Sequence, residues 1–223
     1  MPLSIIIPSL LVLLCADLVQ ERVSFPTEDG GVLHADVYGQ GDHGVVLAHG
    51  GRYDRESWRP QAEALAAAGF HVLAFDFRGY GQSTGPGEAD LYTAPLRLDV
   101  LAAVRYLRER GAGIVSVIGA SLGGGAAAGA AIAAPGQIDR LILLGAVPDG
   151  APEGLVTRKL YVMTRDDSSG AGPRLPGLMA HYEKAPHPKE LILLEGSAHA
   201  QFMFDTEHAE RLMTEIVRFL SAP

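Results

Sequence analysis

Residues 114–125 read Ile-Val-Ser-Val-Ile-Gly-Ala-Ser-Leu-Gly-Gly-Gly. The first five are apolar or β-branched apart from one serine, which is typical of a short strand buried on both faces. The small residues from Ser121 to Ala133 predict a closely packed helix. Ser121 therefore lies at a sharp strand-to-helix turn, where Gly119 and Gly123 let neighbouring backbone approach without Cβ clashes.

The same pattern extends in both directions along the chain. Alternating polar and apolar residues around a Glu-Asp-Gly-Gly turn predict an antiparallel hairpin of Glu21 to Phe25 with Val32 to Tyr38. Short apolar runs predict further buried strands at Gly44 to Ala48, His71 to Phe75, Leu141 to Leu144, Leu160 to Met163 and Leu191 to Leu194. Helical periodicity lies between or after them, at Trp58 to Ala68, Leu96 to Glu109 and Glu207 to Leu220. This alternation predicts an α/β fold with a mostly parallel sheet of about eight strands and helices on both faces.

Length, composition and net charge limit the classes of protein to which the chain can belong. The chain has 223 residues, 48% of them hydrophobic and 20% charged, which fits a globular α/β protein with one domain over residues 19–223. Its formal net charge of −8, with scattered basic residues, disfavours nucleic acid as a partner. A small-molecule partner is expected, and the oligomeric state stays undetermined.

Residues 1–18 form an apolar amino-terminal segment. The stretch Ser4 to Ala16 is too short to span a bilayer but matches the apolar region of a secretory signal. It lacks a preceding Lys or Arg and a clean cleavage site, so export and a cytoplasmic location are both compatible with it. Cys15, the single cysteine, excludes an intramolecular disulfide.

Several motifs carry chemistry in a fixed order. Gly119-Ala120-Ser121-Leu122-Gly123 has the Gly-x-Ser-x-Gly pattern of a nucleophile elbow, for which an ordinary Gly-Ser turn is the alternative. His49-Gly50-Gly51 follows an early strand, and the segment from Asp76 to Ser83 follows the next one. An acidic pair, Asp166 and Asp167, follows a later strand, and His199 follows the last.

This order resembles the α/β-hydrolase superfamily from about Val23 to Leu220, as a small, capless, serine esterase-like member. The resemblance implies Ser121 as nucleophile, His199 as general base and Asp167 as the acid that orients it, with Asp166 and Asp149 as alternative acids. The segment from Asp76 to Ser83 resembles a turn that is mainly architectural in the family.

The resemblance also implies an oxyanion hole. Its donors would be the amide of Leu122, after the nucleophile, and an amide of the early loop, for which Gly51 is preferred and Arg52 is the alternative. His49 precedes the serine in the chain and is interpreted as a structural residue of that loop. No metal-binding spacing of histidines occurs, and neither a metal nor a cofactor is expected.

A serine at the elbow favours acyl transfer. Epoxide hydrolases and haloalkane dehalogenases of this fold use an aspartate there, and dienelactone hydrolases a cysteine. We therefore expect a carboxylesterase-like hydrolase. Amidase, peptidase, thioesterase or perhydrolase activity with the same triad, a low-turnover ligand-binding protein and a scaffold are the alternatives.

The chain has little room for a cap over the site. Fifteen residues, 145–159, separate two predicted strands where many relatives carry a helical cap. An open site is therefore expected, which favours small or exposed esters over long-chain lipids. A mobile loop rich in Gly, Ser and Pro is predicted over Ser168 to Pro176, as a plain connection into a helix near Leu178 to Tyr182 in preference to a partial lid. The residues expected to shape the cleft are Tyr53, Trp58, Leu122, Met163 and the segment from Phe202 to Phe204, and packing in the core is the alternative for each of them.

Overall fold

A computed structural model describes residues 21–222 of the chain. The apolar segment 1–18 lies outside the described residues. Within them, eight strands form one sheet, namely β1 (Glu21–Pro26), β2 (Val32–Tyr38), β3 (His43–Ala48), β4 (His71–Phe75), β5 (Ile114–Ala120), β6 (Arg140–Leu144), β7 (Arg158–Thr164) and β10 (Lys189–Leu194). Two further strands, β8 (Ser168–Ser169) and β9 (Gly172–Pro173), form a separate small hairpin.

The large sheet is mostly parallel. Its spatial order is β1-β2-β4-β3-β5-β6-β7-β10. Strand β2 is antiparallel to β1 and β4, and all other neighbouring strands are parallel. The predicted hairpin and the six predicted strands are therefore confirmed, although β10 lies at the edge of the sheet and is only half-buried apart from Leu194. Parallel strands point their carboxyl ends to one edge, so the loops after β3, β5, β7 and β10 converge there.

In residues 21–222, five α-helices cover the two faces of the sheet, namely α1 (Arg59–Ala67), α2 (Leu96–Glu109), α3 (Leu122–Ala133), α4 (Leu175–Lys184) and α5 (Ala209–Ser221). Buried residues of α2, α3 and α4 share one apolar cluster, and those of α1 and α5 share another. Strand β3 supplies both clusters alternately, Val46 to the first and Leu47 to the second. This period of two in a fully buried strand explains its unbroken apolar sequence.

Three segments refine the sequence-based description. The helix predicted from Trp58 to Ala68 is α1, which begins one residue later, and a 3₁₀ turn, Arg55–Trp58, directly precedes it. The predicted loop from Ser168 to Pro176 is instead the hairpin of β8 and β9 followed by the start of α4, because backbone pairing between Ser169 and Gly172 orders it. Between β6 and β7 the only regular element is a three-residue 3₁₀ turn, Pro152–Gly154, so no cap covers the sheet at this point. In the part of the chain that the structure describes, no helix is long and apolar enough to cross a membrane.

Candidate active site

The turn at Ser121 is held in a strained backbone conformation. Ser121 has φ 49° and ψ −111°, a region that non-glycine residues rarely occupy. A Cβ at Gly119 would lie 2.5 Å from the carbonyl oxygen of Gly123. The close approach of β5 to the first turn of α3 therefore requires glycine at position 119. The Ser121 amide donates to the Leu144 carbonyl across the sheet at 2.9 Å. The strain thus presents the serine side chain at the carboxyl edge of the sheet.

Ser121, His199 and Asp167 form a continuous hydrogen-bonded chain. His199 Nε2 lies 2.8 Å from Ser121 Oγ, and His199 Nδ1 lies 2.7 Å from Asp167 Oδ2. A carboxylate accepts only, so Nδ1 carries a hydrogen and Nε2 is the acceptor for the serine hydroxyl. The structure brings together three residues that are separated by up to 78 positions in the sequence.

Among the three candidate acids, only Asp167 contacts the histidine. Its side chain is fully buried at the end of β7. Asp166 is exposed and contributes its backbone amide to the Gly196 carbonyl at 3.0 Å, and Asp149 is an exposed residue at the edge of the site. The histidine loop is tied to β7 as well, because the Thr164 hydroxyl donates to the Ala198 carbonyl at 2.9 Å.

His49 orders the loop after β3. It is fully buried, its Nε2 accepts from the Phe77 amide at 3.2 Å, and its Nδ1 lies 2.9 Å from the Gly50 carbonyl oxygen. Accepting at Nε2 leaves the hydrogen on Nδ1, which donates to Gly50. Burial lowers the pKa of His49, which keeps the ring neutral in this role.

Those bonds also orient the amide of Gly51. The Gly50 carbonyl accepts a second hydrogen bond from the Tyr53 amide at 3.0 Å. Because the C=O and N–H of one trans peptide point in opposite directions, anchoring the Gly50 carbonyl fixes the direction of the Gly51 N–H. The next peptide is anchored separately, since the Tyr80 hydroxyl donates to the Gly51 carbonyl at 2.7 Å.

The residues that carry the two candidate oxyanion donors pack against each other. A Cβ on Gly51 would be 3.6 Å from Leu122 Cδ2, and a Cβ on Gly50 would be 3.6 Å from the Ser121 Cβ. Leu122 is the first residue of α3, where the backbone amide has no acceptor within the helix. The loop after β3 therefore packs directly over the strand-to-helix turn.

Gln201 connects the loop after β3 to the 3₁₀ turn before α1, and it was not identified from the sequence. Its Oε1 accepts from the Gly50 amide at 2.8 Å and its Nε2 donates to Ser57 Oγ at 2.8 Å. The residue before it, Ala200, has φ 53°, so a second strained position adjoins the catalytic histidine candidate. Polar residues near a motif histidine were the only sequence signal for Gln201.

An open groove of about 1020 Å³ runs past Ser121. Tyr53, Leu122 and Phe202 line it, as predicted. Trp58, Met163, Met203 and Phe204 do not. Trp58 and Met163 are fully buried on opposite faces of the sheet, and Met203 and Phe204 belong to the apolar cluster of Trp58 or pack against it. The cleft prediction for these four residues was wrong, because an apolar residue near the site can point away from it.

The groove has a wide entrance and a locally positive lining. Its other walls are the segment 91–97, the face of α3 at Gly125 and Gly129, and residues 145–149. Tyr92 at its rim is 97% exposed. Three arginines, Arg52, Arg97 and Arg174, line it against one aspartate, Asp149, although the whole chain carries −8.

Solved structures share this architecture. An esterase from Pyrococcus furiosus, Pf2001, superposes with a TM-score of 0.78 at 20% identity, over 91% of this chain and 92% of that chain. A bromoperoxidase from Bacillus anthracis superposes with a TM-score of 0.72 at 17% identity, over 91% of this chain and 100% of that one. At these identities the likeness concerns the fold.

Relatives by sequence match shorter regions. Bifunctional epoxide hydrolase 2 of Sus scrofa is 43% identical over 82 residues, which are 36% of this chain and 14% of that protein. A non-heme chloroperoxidase of Streptomyces lividans is 36% identical over 121 residues, 50% of this chain and 41% of that protein. The chain thus matches less than half the length of these relatives.

The family comparison covers the sheet and the site together. The family described as the alpha/beta hydrolase fold matches residues 45–203, which include the loop after β3, the turn at Ser121, Asp167 and His199. The eight-stranded sheet and the structural neighbours agree with that match. The chain belongs to the alpha/beta hydrolase family.

Proposed function

We propose that the protein is a serine hydrolase that cleaves small or exposed carboxylic esters through an acyl-enzyme on Ser121. The observation that carries the proposal is the chain of two hydrogen bonds, 2.8 Å from Ser121 Oγ to His199 Nε2 and 2.7 Å from His199 Nδ1 to Asp167 Oδ2. A hydroxyl that donates to a neutral imidazole loses its proton as it attacks a carbonyl carbon.

In the acylation step, Ser121 Oγ forms a bond to the ester carbonyl carbon and its proton passes to His199 Nε2. Asp167 holds the ring and stabilises the imidazolium that forms. The tetrahedral intermediate then expels the alcohol, which takes the proton from His199. The products of this step are the free alcohol and a Ser121 ester.

Hydrogen-bond donors are required to stabilise the negative charge that develops on the carbonyl oxygen. The amides of Gly51 and Leu122 are suited to this role, because the first is oriented by the anchored Gly50 carbonyl and the second begins α3. Preorganised donors of this kind contribute about 3 to 4 kcal/mol each to transition-state stabilisation.

Deacylation uses the same groups in reverse. Water donates a proton to His199 Nε2 as its oxygen attacks the acyl carbon, and the proton then returns to Ser121 Oγ as the acid leaves. His199 is 27% exposed along the groove, so water reaches it without movement of the chain.

The shape of the groove supports the proposed substrate class. The short connection between β6 and β7 leaves the groove open, and Gly125 gives the adjoining face of α3 no side chain. An open groove removes little apolar surface of a long acyl chain from water, so affinity gains little from chain length. Small esters, or bulky esters that extend along the surface, fit best.

Relatives named epoxide hydrolases do not share the proposed chemistry. Enzymes of that class in this fold rely on an aspartate at the elbow, whereas this chain has Ser121. A serine would form an acyl ester with a carbonyl compound. Amides and thioesters can form the same acyl-enzyme, and hydrogen peroxide can replace water in its breakdown, which the relative named a chloroperoxidase makes worth testing.

The test is hydrolysis of p-nitrophenyl esters from acetate to palmitate by the wild type and Ser121→Ala. We expect kcat/KM to be highest for short acyl chains and to fall by at least about 10⁴ in the variant. Ser197→Ala, which removes an exposed serine two residues before His199, is the matched control and should retain wild-type rates.

Outcomes in this test separate the alternatives. Preference for palmitate would contradict the open-groove substrate class while leaving the serine mechanism intact. Retained ester hydrolysis in Ser121→Ala would contradict the mechanism itself. Acetate turnover that yields peracid when hydrogen peroxide is added would assign perhydrolysis to the same acyl-enzyme.

A further inference from the structure

One oxygen of the Asp167 carboxylate is not accounted for by the hydrogen-bonded chain. Oδ2 contacts His199, whereas Oδ1 is buried and receives no hydrogen bond from the described residues. The side chain is 0% exposed. A buried carboxylate is strongly disfavoured unless it is paired and its oxygens are compensated, so a partner for Oδ1 is expected nearby.

Arg174 is that partner. Its Nε lies 3.4 Å from Asp167 Oδ1, in an ion pair with a fully buried partner. Apart from His199, no other cation among residues 21–222 is paired with this carboxylate. The neighbouring Arg165 is directed elsewhere, with its Nε 2.9 Å from Glu195 Oε1.

The hairpin of β8 and β9 delivers Arg174 to this position. Its two short strands reverse the chain directly after Asp167, and the Arg174 amide then donates to the Asp167 carbonyl at 2.9 Å. The backbone and the side chain of Arg174 therefore both contact the same residue. The segment predicted as a plain loop fixes a charge beside the acid.

We propose that Arg174 is a positioning residue of the catalytic unit, whose guanidinium compensates Asp167 Oδ1 and thereby holds Oδ2 on His199 Nδ1. The proposal rests on the function proposed above, because Arg174 acts through Asp167 and His199. Arg174 also lines the groove and its side chain is 33% exposed, so direct contact with an anionic substrate is the competing role.

A positioning role has two kinetic consequences. Without the guanidinium the carboxylate is less firmly held, so the plateau value of kcat falls by about tenfold while KM changes little. Lysine restores a positive charge beside Oδ1 but not the planar guanidinium, so Arg174→Lys should recover part of the lost kcat.

The experiment measures kcat and KM for neutral p-nitrophenyl acetate from pH 5 to 9 in Arg174→Gln and Arg174→Lys. We expect the glutamine variant to lose about tenfold in kcat with little change in KM, and the lysine variant to recover part of that loss. Arg165→Gln is the matched control, since it removes an equal charge from the same loop but from a different carboxylate. Its pH profile should overlay that of the wild type.

Two results would overturn the proposal. An unchanged kcat in Arg174→Gln would limit Arg174 to a structural role in the hairpin. An effect confined to KM for p-nitrophenyl hemisuccinate, an anionic ester, would make Arg174 a substrate contact.

Labelling distinguishes these results from failure of the proposed function. A fluorophosphonate reacts with an activated serine without needing a matching ester. If the wild type does not react, the serine mechanism fails. If it reacts and Arg174→Gln shows the same rate at every pH, only the role of Arg174 fails.

Discussion

Gly119 and Gly125 lie on either side of Ser121 and meet opposite surroundings. A Cβ at Gly119 would overlap the backbone of Gly123 and Gly124, the latter Cα at 2.7 Å, whereas a Cβ at Gly125 would meet no atom within 4 Å. One side of the site is therefore fixed by close packing, and the other is open to the groove. The contrast indicates that close packing fixes the turn at Ser121, whereas the adjoining face of α3 leaves room for a substrate of the proposed class.

The largest expected effect is on kcat and comes from Asp167, in the closely packed part of the site. Replacing Asp167 by Asn would leave the shape of the acid but remove its charge and favour the wrong tautomer of His199, so kcat should fall by about 10³ to 10⁴. Asp166→Asn is the matched control, because that side chain is exposed and lies one residue away. Steady-state hydrolysis of p-nitrophenyl acetate measures both, and equal losses in the two variants would contradict the assignment of the acid.

The next effect is on stability and has opposite signs at the two glycines. Gly119→Ala forces backbone apart and should lower the free energy of unfolding by about 3 kcal/mol. Gly125→Ala removes a helix-interior glycine without a clash and should raise it by about 0.5 to 1 kcal/mol. Urea unfolding of each variant tests this, and destabilisation by Gly125→Ala would show that this face of α3 is not open.

The smallest effect tests whether the open face of α3 at Gly125 determines the size of the ester that the groove accepts. Gly125→Leu should place a side chain in the groove and lower kcat/KM for a bulky p-nitrophenyl ester by about tenfold, with little change for the acetate. The ratio of the two specificity constants, compared with the ratio in Gly125→Ala, is the measurement. An equal loss for both esters would mean that the leucine disturbs Ser121 rather than the substrate.

The sequence was sufficient to predict the elements with a clear periodicity. Six strands were predicted from short apolar runs, and the helix Leu96–Glu109 was predicted from its amphipathic period. The structure of these elements depends mainly on local pattern, and the apolar core on both faces of the sheet follows from them. The motif residues Ser121, Asp167 and His199 were found from their order along the chain, and the structure brings them together.

Other features depend on contacts between distant residues. Gln201 bonds the amide of Gly50, 151 positions earlier, and no local pattern predicts such a pair. The hairpin after Asp167 has strands of two residues, too short for any periodicity, and its consequence is the placement of Arg174. Trp58 and Met163 were misplaced because the direction of an apolar side chain depends on packing.

The most direct test of the central claim is to treat the wild type and His199→Ala with a fluorophosphonate and to identify the labelled peptide by mass spectrometry. We predict a single adduct on Ser121 in the wild type and a labelling rate at least about 10³-fold lower in the variant, because the serine loses its base. An adduct on another residue, no adduct in the wild type, or an equal labelling rate in both proteins would contradict an activated nucleophile at Ser121.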